Sequence, residues 1–147
     1  MDNLPDLLAR IRAVNETAPF NKWCGIEVLK ATPGEVDIAM PWRREVTQYS
    51  GFLHAGVIGA LIDTACGYAA ATMVGRVLAS HYSVSCLRPA VGERFVARAR
   101  VVKPGKTQVF TSCELYAEAS GSEKLVATGE TLLTVAVASS VAADGSG

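Results

Sequence analysis

Between Leu53 and Met73 the chain carries its longest apolar stretch, and most of that stretch is built from small residues. Val57, Ile58, Leu61, Ile62, Ala65 and Ala69 recur at helical spacing. Gly59, Ala60, Gly67, Ala70 and Ala71 leave little side chain on the other faces. A helix on a protein surface shows a charged stripe, whereas this segment has a single side chain charged at neutral pH, Asp63. The pattern predicts a helix over 55–73 that is covered on most sides, so the rest of the chain must be arranged around it. A lone carboxylate in such a helix is costly unless it is paired, protonated or put to use. Leu or Asn in its place would avoid the desolvation, and burial raises its pKa toward that of a useful base. Asp63 is therefore the leading candidate for a catalytic residue.

His54-Ala55-Gly56 forms a small-residue turn at the start of this helix. Helix N-termini present unsatisfied N–H groups and the positive end of the dipole, and can hold an anion or a developing oxyanion. Asp63 lies roughly 12 Å along the axis from that turn at ~1.5 Å per residue. One chain cannot aim both features at one atom. A symmetric dimer could, by bringing the turn of one chain to the Asp63 of the other.

The remaining segments read as one further helix and a set of strands. Leu4, Leu7, Leu8, Ile11 and Val14 give residues 2–16 a helical stripe, with Asp2 or Asn3 as cap and Pro19 beyond its end. Phe20, Trp23 and Cys24 form a short apolar cluster. Ile26 to Ala31 and Glu35 to Met40 predict a hairpin around Thr32-Pro33-Gly34. A polar connection from Arg43 to Phe52, containing Gln48, leads to the His54 turn. After Val74-Gly75-Arg76, four strands are predicted over 80–88, 94–101, 108–118 and 124–137. The short turns between them imply antiparallel neighbours, and their alternation implies one buried face each. Gly129 inside the last strand suggests a bulge or a close backbone approach. Residues 139–147 are expected to be disordered. The order predicts an α+β fold in a single domain over 1–138, with an antiparallel sheet and one helix to wrap.

Composition narrows the function. Lys plus Arg equals Asp plus Glu, 14 each, which gives no electrostatic case for nucleic acid. No uninterrupted apolar run reaches the ~18 residues of a membrane span, and no signal peptide is visible. Cys24, Cys66, Cys86 and Cys113 are widely spaced, without a Cys-x-x-Cys pair, and the chain has two His. Reduced thiols in a cytoplasmic protein are expected, and no metal site. Thr64 and Tyr68 follow Asp63 at one and five residues, so only one is expected to share its neighbourhood. Thr64, Ser83 and Ser85 are equal candidates for a small polar partner, and His81 is read as an ordinary strand residue. Lys103 and Lys106 flank a Pro-Gly turn, where a basic tip can pair with phosphate.

His54-Ala55-Gly56, Asp63 within a small-residue helix, and Leu87-Arg88-Pro89-Ala90 at a strand end together resemble the hot-dog-fold acyl-CoA thioesterases. The branch resembled is the PaaI-like, phenylacetate-pathway type, over about Trp23 to Val137. The resemblance implies a curved antiparallel sheet wrapped around one long helix. It implies hydrolysis of an aryl- or medium-chain acyl-CoA to free acid and coenzyme A. The backbone N–H of Ala55, where the family usually has Gly, would polarise the thioester carbonyl. His54 would shape the loop, Gly56 would allow close approach of substrate, and Gln48 would orient thioester or water. Asp63 would activate water or attack directly. Arg88, Lys103 and Lys106 would face the coenzyme A phosphates. No metal or redox cofactor is implied, coenzyme A being part of the substrate. Homodimers are expected, or homotetramers made as dimers of dimers. The alternatives are a hot-dog-fold enoyl-CoA hydratase or dehydratase, whose usual His motifs are absent, and a non-catalytic acyl-CoA-binding protein. Regulators of the second kind often carry a separate DNA-binding domain, for which the N-terminal segment is too short.

Overall fold

The computed structural model describes residues 4–136. The elements in chain order are α1 (Leu4–Glu16), α2 (Pro19–Cys24), β1 (Glu27–Thr32) and β2 (Glu35–Pro41), then α3 (Ala55–Val74), β3 (Val77–Cys86), β4 (Arg94–Lys103), β5 (Gln108–Ala119) and β6 (Ser122–Val135), with a 3-10 turn at Arg44–Val46 between β2 and α3. The expected caps at Asp2 and Asn3, the end of the last strand at Val137 and the 139–147 tail lie outside the described residues. Pro19 opens the short α2, the helical position at which its missing N–H costs nothing.

The six strands among the described residues form one antiparallel sheet in the order β1-β2-β4-β5-β6-β3. The sheet curves around α3, which touches every strand. This is the expected hot-dog architecture. Val36, Ile38 and Met40 of β2, Phe95 and Ala97 of β4, and Leu115 of β5 point inward against Ile58, Leu61, Ile62 and Ala65 of α3. Alternation puts one side of each of these strands in the core and the other in water.

Two expectations fail at β3. Despite the short connection, β3 does not pair with β4. It starts at Val77 rather than residue 80 and pairs with β6 at the far edge. The reason is that α3 carries the chain across the whole sheet, from the end of β2 to the opposite margin. Nor does β3 have a buried face. Nearly every residue is exposed, including Leu78 (64 %) and Tyr82 (49 %), and among the described residues its outer edge is unpaired.

Helix α3 is likewise covered on one side only. Ile58, Leu61, Ile62, Ala65, Cys66 and Ala69 are buried, while Asp63, Thr64 and Gly67 are half-buried. The helix is long and apolar enough to cross a membrane, but here its apolar side is covered by the sheet. Gly129 makes no bulge: it pairs in register with Val84 and Cys113. It is instead a point of close approach, since an added Cβ would lie 2.7 Å from the Ser83 carbonyl oxygen and 2.8 Å from Ile62 Cγ2. The four cysteines are free, and all but Cys86 are buried.

Candidate active site

The turn before α3 is a small hairpin closed by a Thr47–Leu53 bridge. His54 N–H donates to the Val46 carbonyl at 3.0 Å, and Leu53 N–H donates to that of Ala90 at 3.1 Å. His54 is the N-cap of α3, in extended backbone, and its Nδ1 accepts from Gly56 N–H at 2.8 Å. The His54 carbonyl takes the N–H groups of Val57 and Ile58. One amide of the first turn remains: among the described residues, Ala55 N–H meets no acceptor. Ala55 needs no left-handed conformation, Ser120 being the one described non-glycine residue with positive φ. Alanine therefore serves where the resembled family usually has glycine. Gly56 also has a packing reason within the chain. Its absent Cβ would sit 3.0 Å from His54 Nδ1, so glycine makes room for the capping ring.

Asp63 projects from the half-buried side of α3. No described residue hydrogen-bonds or pairs with its carboxylate. Desolvation holds its pKa above the ordinary aspartate value, because burial penalises the charged form. The carboxylate opens onto a groove of about 730 Å³ between α1, α3 and the start of β3. Thr64 and Tyr68 both line this groove with Asp63. Tyr68 reaches it because its ring is long and its hydroxyl is anchored at the back. Ser83 and Ser85 lie across the sheet, on a polar outer surface with Asp37 and Arg98. Of the three small polar candidates, Thr64 is the one that lines the same groove as Asp63 within one chain.

Gln48 stands in the hairpin that leads to His54. Its N–H donates to the Phe52 carbonyl, and its Oε1 accepts from Ser50 N–H. One role of this side chain is therefore to shape the loop. The three cations expected at phosphates are not gathered by one chain. Arg88 lies beside Val126 at the end of the sheet that also holds the His54 turn, whereas the turn with Lys103 and Lys106 abuts Thr134 and Val135. Along β6 those places are about 26 Å apart at ~3.3 Å per residue. His81 is an exposed residue of β3, as expected. Among the described residues, no group of three His, Cys, Asp or Glu could hold a metal ion.

Sequence reasoning missed the role of α1. Tyr68 hydroxyl donates to Asn15 Oδ1 at 2.8 Å, and Asn21 Nδ2 donates to the Tyr68 oxygen at 2.9 Å and to Asn15 Oδ1 at 3.0 Å. Asn15 Nδ2 in turn donates to the Ile26 carbonyl at 2.9 Å. Both asparagines are buried. The cluster ties α1 and α2 to α3 and makes α1 a wall of the groove. Asn15 and Asn21 were a weak signal, since asparagines near helix ends usually cap or face solvent.

Comparison with known proteins agrees with the fold. Residues 50–124 match the family model described as "Thioesterase superfamily". Human acyl-coenzyme A thioesterase 13 is 35% identical over 123 residues, covering 81% of this chain and 86% of that protein. The crystal structure of a thioesterase family protein from Silicibacter pomeroyi superposes with a TM-score of 0.84 at 37% identity, over 87% of this chain and 96% of that one. The PaaI protein of E. coli shares the fold, with a TM-score of 0.83 at 22% identity over 92% of this chain and 97% of that one.

Proposed function

The chain belongs to the thioesterase superfamily, and from that premise we propose that it is an acyl-CoA thioesterase whose active sites are each shared by two copies of the chain. One observation carries the reading. A free helix-terminal amide at Ala55 and an unpartnered, half-buried carboxylate at Asp63 occur in the same fold. They are the two groups that thioester hydrolysis needs. The Ala55 N–H stabilises the oxyanion formed when the thioester carbon becomes tetrahedral. Asp63 takes a proton from the attacking water, the C–S bond breaks, and the thiolate leaves and is protonated. In the alternative order the carboxylate attacks carbon and expels the thiolate, which is protonated, and water then opens the resulting mixed anhydride to release the acid and restore the carboxylate. Neither route calls for a metal or redox cofactor, coenzyme A being part of the substrate. The acyl group is aryl or medium-chain. Four free thiols suit a reducing cytoplasmic compartment.

The exposed edge of β3 supports a symmetric assembly. Among the described residues this strand has an unpaired edge, and its Tyr82 ring rests on Gly59 of α3, where an added Cβ would lie 3.2 Å away. Gly59 is midway between Ala55 and Asp63. A twofold axis passing there would pair β3 with its symmetry mate and set the two α3 helices antiparallel. The Ala55 amide of one chain would then be level with Asp63 of the other. The same axis would bring Arg88 of one chain to the sheet end that holds Lys103 and Lys106 of its partner, so coenzyme A phosphates would meet cations from both. A homodimer is the minimal unit, and two dimers would make a tetramer.

A hydratase would use a catalytic histidine as base. Here Nδ1 of His54 is committed to Gly56 N–H, which favours hydrolysis. The test is complementation. Thiol release from a panel of aryl and medium-chain acyl-CoAs is measured for Asp63→Asn, for Ala55→Pro and for their mixture after subunit exchange. In a shared-site heterodimer one site carries both lesions and the other none, so the mixture should recover about a quarter of wild-type activity. No recovery in proven heterodimers refutes the shared site. Tight binding of acyl-CoA by wild type without thiol release would replace the enzyme with a binding protein.

A further inference from the structure

We propose that Arg43 is a positioning residue for the thioester chemistry: stacked on Trp23, it fixes the turn from which the Ala55 amide is aimed, a role that rests on the thioesterase reading and deepens it.

Arg43 breaks a rule that buried polar groups keep. Its Nε and Nη2 are enclosed, and no described residue accepts a hydrogen bond from either. Leaving a buried donor unpaired costs more than its hydrogen bond would have gained, and an apolar side chain of similar volume would avoid that cost. What holds the guanidinium is the half-exposed ring of Trp23 in α2, with Cζ 4.2 Å from the ring centroid, a cation–π contact. The charge also reaches the neighbouring Cys24 thiol, whose pKa is pushed up by burial and drawn back by Arg43. Side chains that break a local rule concentrate where function needs them. The place of Arg43 in the backbone framework says which function.

Two contacts bring Arg43 under Trp23. Gly25 ends α2 in the left-handed region, at φ 72, and an added Cβ there would lie 3.3 Å from Pro41 Cγ. The end of α2 therefore abuts the last residue of β2. Trp42 N–H donates to the Glu93 carbonyl at 2.9 Å, tying the chain down immediately before Arg43. From Arg43 the links run on to the site. Its carbonyl accepts from Val46 N–H at 3.2 Å, closing the 3-10 turn, and the Val46 carbonyl accepts from His54 N–H at 3.0 Å. His54 caps α3, and the next residue carries the free amide. The start of the 3-10 turn has no side-chain cap, so the stack on Trp23 is what steadies it. The ring is a firm reference, because Asn21 of the same short helix is bonded to Asn15 of α1 and Tyr68 of α3. Lysine would carry the charge but has no planar face to stack.

The test compares Arg43→Ala, Arg43→Lys, Trp23→Ala and Trp23→Phe. Steady-state thiol release on the best acyl-CoA gives kcat and KM, and NMR-detected exchange gives the protection of His54 N–H. A misplacement of about 1 Å can cost ~10²-fold, so Arg43→Ala and Trp23→Ala should each lower kcat roughly ten- to hundredfold with little change in KM. Arg43→Lys should share the loss, while Trp23→Phe, which keeps a ring face, should retain most of the turnover. The Arg43→Ala/Trp23→Ala double variant should be no worse than either single, as for two halves of one contact. In an Ala55→Pro background, where the aimed N–H is gone, Arg43→Ala should cost nothing further; a side chain needed only for the fold would lower both backgrounds alike. His54 N–H should exchange roughly tenfold faster in folded Arg43→Ala than in wild type. Wild-type kcat in folded Arg43→Ala or Arg43→Lys, additive losses in the double variant, or unchanged His54 protection overturn the proposal. If wild type releases no thiol while Arg43→Ala deprotects His54 and Trp23→Phe does not, the strut stands and the hydrolase reading falls.

Discussion

Replacing Ala55 by proline would delete a single hydrogen atom of functional interest while leaving the helix intact. Ala55 is the first residue of α3. Proline is well tolerated at that position because the N–H there has no intrahelical partner. Here it has none among the described residues, so the substitution breaks no hydrogen bond. Proline also restricts the residue before it to extended backbone, with ψ of about +120 to +160°. His54 already has φ −61 and ψ 134. The folded state therefore accepts proline, and the unfolded chain loses freedom, which stabilises by up to ~1 kcal/mol. For a chain near this size that is a rise of about 2–4 °C in melting temperature.

The catalytic effect runs the other way. Loss of one oxyanion donor typically costs ~10²–10³ in kcat, or about 2.7–4 kcal/mol of transition-state stabilisation. The assay is steady-state thiol release on the best acyl-CoA, with thermal melts at matched protein concentration. Ala55→Gly retains the N–H and is the control; it should keep turnover within a few-fold while melting slightly lower. A folded Ala55→Pro protein with near-wild-type kcat would refute the assignment of the Ala55 amide. So would a rise in KM alone, since that would mean the amide binds ground state and transition state equally.

Asp63→Asn should lower turnover by ~10²–10⁴ without lowering stability. Burial makes the folded carboxyl harder to ionise, so its contribution to stability is full below the unfolded value of ~3.9 and is lost as pH rises through the raised folded value. The Asn variant should therefore melt higher than wild type at neutral pH, with the gap closing on acidification below about pH 4; a constant gap would remove the titration from the account. Wild-type activity should decline on acidification with a midpoint above the ordinary aspartate range, read from a pH–kcat/KM profile. His54→Ala removes a capping acceptor, costing ~1 kcal/mol, and should raise KM more than it lowers kcat; an equal loss of kcat and kcat/KM would assign His54 to the chemistry. Gly129→Ala forces a Cβ to within 2.8 Å of Ile62 and 2.7 Å of a β3 carbonyl, an overpacking of ~2–3 kcal/mol that should lower the melting temperature by about 5–10 °C. An unchanged melt would show that α3 can yield at this point.

The central helix, the β1–β2 hairpin and three of the last four strands were legible because their signals are local. Period 3.6 marks α3, period 2 marks β2, β4 and β5, and Pro-Gly pairs mark two of the turns. Asp63 was legible for the same reason: one charge in an apolar helix stands out whatever surrounds it. Position in the sheet was not local. A short connection after β3 suggested a hairpin with β4, but the neighbours of β3 are decided by where α3 delivers the chain. The Arg88 and Lys103–Lys106 cations were plausible together in a linear reading and lie at opposite ends of the sheet.

The sequence by itself determined the central helix, most of the strands and the residue types that face inward in them, and it singled out Ala55 and Asp63 as candidates, because backbone periodicity and the cost of burying charge act over a few residues. Only the tertiary structure decided what that pair can do. It left Ala55 N–H free by having His54 cap the next amide, and it left Asp63 half-buried beside an apolar groove whose second wall is a helix far away in the chain. Such facts depend on packing between segments distant in sequence, where no periodicity reports which surfaces meet.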